Sequence, residues 1–149
     1  MTLWDATTRQ VAARLGNYQG VEAFAFSPDS SRMAVSVEPQ HDIEIWEVAT
    51  RTRISRMEGH EGEIICLAWL PDGRRLVSGG RDHTLKMWDV ASGQELLSLP
   101  LDDSPDNNIR LLAVSPDGHR VAATCRDTIT VWDDRTRPER ERWRQVGAK

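Results

Sequence analysis

Four tryptophans set the frame of this chain. Trp4, Trp46, Trp88 and Trp132 are separated by 42, 42 and 44 residues, and each is followed by an acidic side chain: Asp5, Glu47, Asp89 and Asp133. A period in the low forties marks a repeated supersecondary unit, each copy too small to bury its own apolar face and dependent on its neighbours to do so. A turn recurs in phase with the tryptophans: Ser27-Pro28-Asp29-Ser30, Leu70-Pro71-Asp72-Gly73 and Ser115-Pro116-Asp117-Gly118. Its proline presets φ, and its aspartate can bond its own backbone.

The runs on either side of that turn have strand character. Val21 to Phe26, Ile64 to Trp69 and Ile109 to Val114 align without gaps. Alternate positions separate a mostly small set, Val21/Ala23/Ala25, Ile64/Cys66/Ala68 and Ile109/Leu111/Ala113, from a bulkier set, Phe24/Phe26, Leu67/Trp69 and Leu112/Val114. Period-two alternation with both faces largely apolar describes a strand in a sheet packed on both sides. Glu22 and Arg110 interrupt the bulky set and are expected to reach solvent. Met33 to Val37, Leu76 to Ser78 and Val121 to Thr124 follow the turn, then come a polar loop and the strand that ends in tryptophan. A second turn, such as Asp89-Val90-Ala91-Ser92-Gly93, leads to a fourth strand carrying Ala12/Leu15, Ile54/Met57 or Leu96/Leu99. Four short antiparallel strands per period make one blade of a β-propeller, with no helix required.

Composition narrows the class. The chain has 149 residues, 39% hydrophobic and 28% charged, with six tryptophans, which is more apolar material than disordered chains carry. Its apolar runs fall short of the roughly 18–20 residues of a membrane-spanning helix, and the start Met1-Thr2-Leu3-Trp4-Asp5 does not resemble a signal peptide. A net charge of −4 argues against nucleic acid, whose phosphates require clustered lysine and arginine. The stretch 133–149 is the basic part, with six basic against four acidic residues. Cys66 and Cys125 lie in or beside apolar runs, as buried free thiols of a reducing compartment do, so a cytoplasmic location is expected.

Gly59-His60, Leu70-Pro71-Asp72-Gly73, Ser78-Gly79-Gly80-Arg81-Asp82 and Trp88-Asp89, in this order and spacing, resemble one complete WD40 repeat. The resemblance extends over about residues 1–134. It implies an all-β chain of WD40-type propeller blades, each a four-stranded antiparallel sheet, in an incomplete ring of about three blades. The units are 1–15, the last two strands of a partial blade; 16–57; 58–99, the most complete; 100–134, without a clear fourth strand; and a charged tail, 135–149, expected to be disordered.

For the middle repeat the resemblance implies a structural tetrad of His60, Ser78, Asp82 and Trp88. The chemistry is consistent with a closed chain of hydrogen bonds, since indole only donates, carboxylate only accepts, and hydroxyl and imidazole do both. A Ser/His/Asp set also invites a hydrolase that uses Ser78 and His60. Against it, Ser78 lies in the strand Leu-Val-Ser-Gly-Gly rather than on a nucleophile elbow. His41, His60, His83 and His119 show no metal-ligand spacing, and no glycine-rich phosphate loop is present, so no cofactor or metal is expected.

The flanking repeats depart from the pattern. Asn17 replaces His60, Gln40 replaces Asp82, and Ser36 aligns with Ser78 only after a one-residue slip. In the third repeat Asp127 and Trp132 match, but Pro105 and Ala123 replace the histidine and serine. These two blades are expected to rely on packing.

In the WD40 family the loops before the first strand and between the second and third open onto one end, which usually binds partners. That maps to Tyr18, Gln19, Glu61, Glu63, Asp106, Asn107 and Asn108 in the first set and to His41, Arg81, His83 and Arg126 in the second. In the tail, Pro138 lies where a fourth strand begins and Arg140 and Trp143 take the places of Ile54 and Met57, so strand formation is not expected. Arg9 to Leu15 is a candidate to complete the last blade. The function expected is a non-catalytic interaction scaffold, part of a larger propeller, that binds proteins or peptides, with neither nucleic acid nor membrane as partner. The alternatives are a fragment that completes a ring by associating with copies of itself, and the hydrolase.

Overall fold

The computed structural model of the chain describes residues 1–14, 16, 18, 20–101, 108–125, 128–136 and 144–146, and among these it is strand and turn apart from a 3-10 turn at Asp134–Thr136. The strands are β1 (Thr2–Trp4), β2 (Val11–Arg14), β3 (Phe24–Phe26), β4 (Arg32–Val37), β5 (Asp42–Glu47), β6 (Thr52–Met57), β7 (Ile64–Trp69), β8 (Arg75–Gly80), β9 (Thr84–Asp89), β10 (Glu95–Pro100), β11 (Ile109–Val114), β12 (Arg120–Cys125), β13 (Thr128–Asp133) and β14 (Arg144–Val146). Each pairs antiparallel with its sequence neighbour, giving a two-stranded sheet β1-β2 and three four-stranded sheets, β3-β4-β5-β6, β7-β8-β9-β10 and β11-β12-β13-β14.

Turn chemistry accounts for the connections. Between the first two strands of each four-stranded sheet, Ser30, Gly73 and Gly118 occupy the same left-handed position, at φ 61°, 65° and 73°. Between the last two strands, the acid after tryptophan starts the turn. Asp5 Oδ1 accepts the amides of Thr7 and Thr8 at 2.7 and 2.8 Å, and Asp89 Oδ1 accepts that of Ser92 at 2.8 Å. Those contacts give a local reason for the Trp-acid pairing at the end of the strand.

The sheets pack face to face, and the two faces of a strand serve different neighbours. Ile43, Ile45 and Met57 of the first four-stranded sheet share a buried cluster with Leu76 and Trp88 of the second. Val77, Leu85 and Met87 of the second share another with Val121, Ala123 and Trp132 of the third. The hairpin β1-β2 covers the first, with Ala13 and Leu3 against Met33, Val35 and Trp46. Burial of each such aliphatic side chain is worth about 1.5–3 kcal/mol, so the interfaces between sheets carry most of the core. The Trp69 indole adds a directional tie, donating to the Ala25 carbonyl at 3.0 Å.

Three sequence expectations change. The run Val21 to Phe26 is strand only at Phe24–Phe26, because the Ser36 hydroxyl takes the amides of Ala23 and Glu22, at 2.8 and 3.3 Å. The strand Val11–Arg14 pairs with β1 rather than completing the last sheet, since the short turn after Trp4 joins the two directly. A fourth strand does form in the tail at Arg144–Val146, pairing Asp133 with Arg144 and Val131 with Val146. It starts beyond Pro138, so the missing proline donor is outside the ladder. The expectations for Leu15, Asn17, Pro105, Asp127, Pro138, Arg140 and Trp143 lie outside the described residues.

Candidate functional site

The second four-stranded sheet holds a chain of polar side chains that runs from its loops across two of its strands. Trp88 Nε1 donates to Ser78 Oγ at 2.7 Å, Ser78 Oγ lies 2.6 Å from His60 Nε2, and His60 Nδ1 lies 2.6 Å from Asp82 Oδ2. Polarity follows from the two ends. Indole only donates and the carboxylate only accepts, which puts the imidazole proton on Nδ1 and leaves Nε2 to accept the serine hydroxyl. The rings of His60 and Trp88 sit 5.9 Å apart at 48°. Asp82 also accepts the Glu61 amide at 3.0 Å and the Thr84 hydroxyl at 2.8 Å, which ties the loop before β7 to the loop between β8 and β9. Burial alone would raise the Asp82 carboxyl; the bond from His60, with those from Thr84 and the Glu61 amide, outweighs it and holds the group down at about 2.

Ser78 has no exposed surface, and the His60 side chain has none either. In this conformation the hydroxyl presents no surface to a substrate carbonyl, and one of its two lone pairs accepts the indole N–H. The geometry fixes strand register and loop position instead.

The first four-stranded sheet does not rest on packing alone. Val35, opposite Glu44, stands where Ser78 stands opposite Lys86, and Glu44 takes over as acceptor. Its Oε2 accepts the Trp46 indole at 3.0 Å and the Tyr18 hydroxyl at 2.7 Å, while Oε1 accepts Arg53. Burial pushes the Tyr18 phenol up, and its bond to the Glu44 carboxylate adds to the rise. The signal available in the sequence was a glutamate between Ile43 and Ile45, a charged residue two before the tryptophan. Lys86 holds the same position in the second sheet and reaches Glu95 at 2.7 Å. In the third sheet Ala123 takes the serine position, paired with a buried Thr130.

The loop residues picked out by sequence are placed unequally. Glu61 and Arg81 are exposed, and Arg81 Nε meets Glu63 Oε2 at 2.9 Å across the two loops. Tyr18 is half-buried and turned inward to Glu44. His41 and His83 share one turn position, at φ 58° and 59°, and are half-buried; His41 Nδ1 lies 2.9 Å from Glu38 Oε2, and the His83 carbonyl accepts the Leu101 amide at 2.8 Å. Asn108 is half-buried just before β11. Gln19, Asp106, Asn107 and Arg126 lie outside the described residues.

Sequence reasoning missed a cavity of about 690 Å³ at this end of the first sheet. Tyr18, Glu38, Pro39 and Gln40 line it from the loops, and Glu44 and Arg53 from the sheet. Among the described residues no group of three or more His, Cys, Asp or Glu is placed to hold a metal ion, and no helix is long and apolar enough to cross a membrane. Burial pushes the Cys66 thiol up to about 12, so it is a packing residue between the second and third sheets rather than a nucleophile.

Residues 51–89 match the family model described as WD domain, G-beta repeat. The match begins at β6, the outer strand of one sheet, and ends at β9, the third strand of the next. The repeat unit of the sequence therefore straddles two sheets, out of phase by one strand with the units 16–57 and 58–99 drawn from turns and tryptophans. No curated protein matches the chain.

Proposed function

We propose that this chain, which carries a WD40 repeat within a row of four-stranded propeller blades, is a non-catalytic interaction scaffold. It forms part of a larger cytoplasmic propeller and displays one loop end to protein or peptide partners. WD40 domains generally mediate contacts between proteins, and the loop end of this chain is built for display. The observation that carries the proposal is the division of polar groups in the second blade. Ser78 and His60 are spent inside the sheet, whereas Glu61 and Arg81 stand exposed on two loops locked together by Asp82. Rigid sheets fix those loops, and the neighbouring cavity beside Tyr18 and Gln40 gives the same end concave relief. The function needs no cofactor, and the net charge of −4 is unsuited to a phosphate backbone.

The test compares charge reversals at opposite ends of one blade. Glu61→Lys with Arg81→Glu alters the loop end, and Arg74→Glu alters the turn between β7 and β8 at the other end. Proteins captured by the wild-type chain are expected to be lost from the first variant and retained by the second, with equal thermal midpoints. Retention by both variants contradicts the proposal, as does loss from both.

A further inference from the structure

The cavity beside the first four-stranded sheet is lined by the positions that carry the polar chain of the second. In the second sheet that corner is filled by His60 and Asp82, bonded to each other, with His60 on Ser78. In the first, Val35 takes the serine position and the exposed Gln40 the aspartate position, and a volume of about 690 Å³ is left between loops and sheet. The loop from β4 to β5 is also one residue longer, residues 38–41 against 81–83. With His41 matched to His83, the added residue is Glu38.

Charge balance on the wall singles out that residue. Arg53 is tied to Glu44, and Arg56 to Asp42 and Glu58. Among the described residues Glu38 has no lysine or arginine partner. Its Oε2 lies 2.9 Å from His41 Nδ1, outside hydrogen-bond alignment, and its Oε1 is buried with no hydrogen-bond partner. A buried acceptor without a donor is costly, so this carboxylate gains from an occupant that donates to it. The opposite wall is aromatic and apolar, with the half-buried Trp46 ring, the Tyr18 phenol and Val37. Gly16 admits that phenol, since a Cβ there would lie 2.3 Å from the ring of Tyr18.

We propose that the cavity takes the lysine side chain of a peptide partner, its stem along Trp46, Tyr18 and Val37 and its ammonium on Glu38 and the side-chain carbonyl of Gln40. A turn about the last torsion of Glu38, a broad one in glutamate, presents its unspent oxygen to the cavity. Lysine suits a wall with one such oxygen, because ammonium is a point charge whereas guanidinium is matched by two parallel acceptors. An aromatic face beside the cation adds to the attraction. The volume falls within the about 300–1,000 Å³ of ligand sites, which leaves room for peptide backbone on either side of the lysine. The inference rests on the scaffold reading and adds the chemistry of the partner.

Nitrogen–proton correlation spectra of the full chain, titrated with Nα-acetyl-lysine N-methylamide, test this. The Trp46 indole and the Gln40 side-chain amide are expected to shift saturably in the millimolar range, and the probe acetylated at Nε, which has lost its charge, to move neither. Glu38→Gln keeps the size of the side chain and removes its charge, and is expected to weaken binding tenfold or more. Gln40→Arg, at an exposed position, sets a cation at the mouth and is expected to abolish it, read at the Trp46 indole. No saturable shift in the wild type overturns the proposal, as does equal binding by the Nε-acetylated probe, by the matching arginine probe, or by either variant. No partner protein enters the titration, so such a failure leaves the scaffold reading to its own capture test.

Discussion

Trp46 donates its indole N–H to Glu44, two residues earlier on the same strand, at 3.0 Å. The next sheet solves the same problem across strands, with Trp88 donating to Ser78 at 2.7 Å. The half-buried indole of Trp46 and the buried one of Trp88 each find an acceptor, and two sheets of one repeat series supply it with different chemistry.

Glu44→Ala removes the acceptor of Trp46, Tyr18 and Arg53 together. Tyr18, Arg53 and the half-buried Trp46 are each partly exposed and can turn in part to water, which limits the loss. A fully buried group left unsatisfied costs about 1–3 kcal/mol and a half-buried one less, so a loss of about 1 kcal/mol is expected. A thermal scan is expected to show a midpoint lowered by roughly 2–4 °C per kcal/mol lost. Glu44→Gln keeps a carbonyl acceptor and is expected to lose less.

Asp82 gives the fold an acid limb. Its carboxyl is held at about 2 in the folded chain, against about 3.9 when unfolded. A depressed carboxyl contributes stability above its unfolded value and loses it as pH falls through the folded one. The Asp82 contribution is therefore complete above about pH 4 and fades between about pH 4 and 2. Thermal midpoints over that range are expected to converge for wild type and Asp82→Asn, after a clear gap at pH 6. Asp29 is also depressed, to about 2, so the difference between the two proteins is the quantity to read.

Ser30 occupies a left-handed turn position, φ 61°, that the two equivalent turns give to Gly73 and Gly118. That conformation costs an ordinary residue about 1–2 kcal/mol, while glycine loses about 0.5–1 kcal/mol more chain entropy on folding. Ser30→Gly is therefore expected to stabilise the fold by up to about 1 kcal/mol, read as a raised denaturation midpoint with unchanged slope. A lowered midpoint would show that Ser30 is held by its neighbours without strain.

Much of the architecture was legible because one signal repeats. The tryptophan spacing, the Pro-Asp turns and two-residue alternation together define sheets, order and turns, and the family match at residues 51–89 falls on the repeat with most of its motif intact. The Glu44 network was not legible, because alignment looks for a serine at its own position, whereas the physical requirement is only an acceptor near the indole. Arg144–Val146 was missed for a related reason. Pro138 excludes a strand where it stands but says nothing of one placed further along. The inward turn of Tyr18 depends on a contact 26 residues away, beyond the reach of local pattern.

The claim that Ser78, His60 and Asp82 serve the fold rather than chemistry is tested most directly by a double-mutant cycle on Ser78 and Trp88. Stabilities are measured for wild type, Ser78→Ala, Trp88→Phe and the double variant by denaturant unfolding. A shared buried hydrogen bond predicts that each single change is destabilising and that the double change costs less than their sum by about 1 kcal/mol or more. Additivity to within about 0.3–0.5 kcal/mol would contradict the account, since it would mean that the serine hydroxyl does not hold the indole.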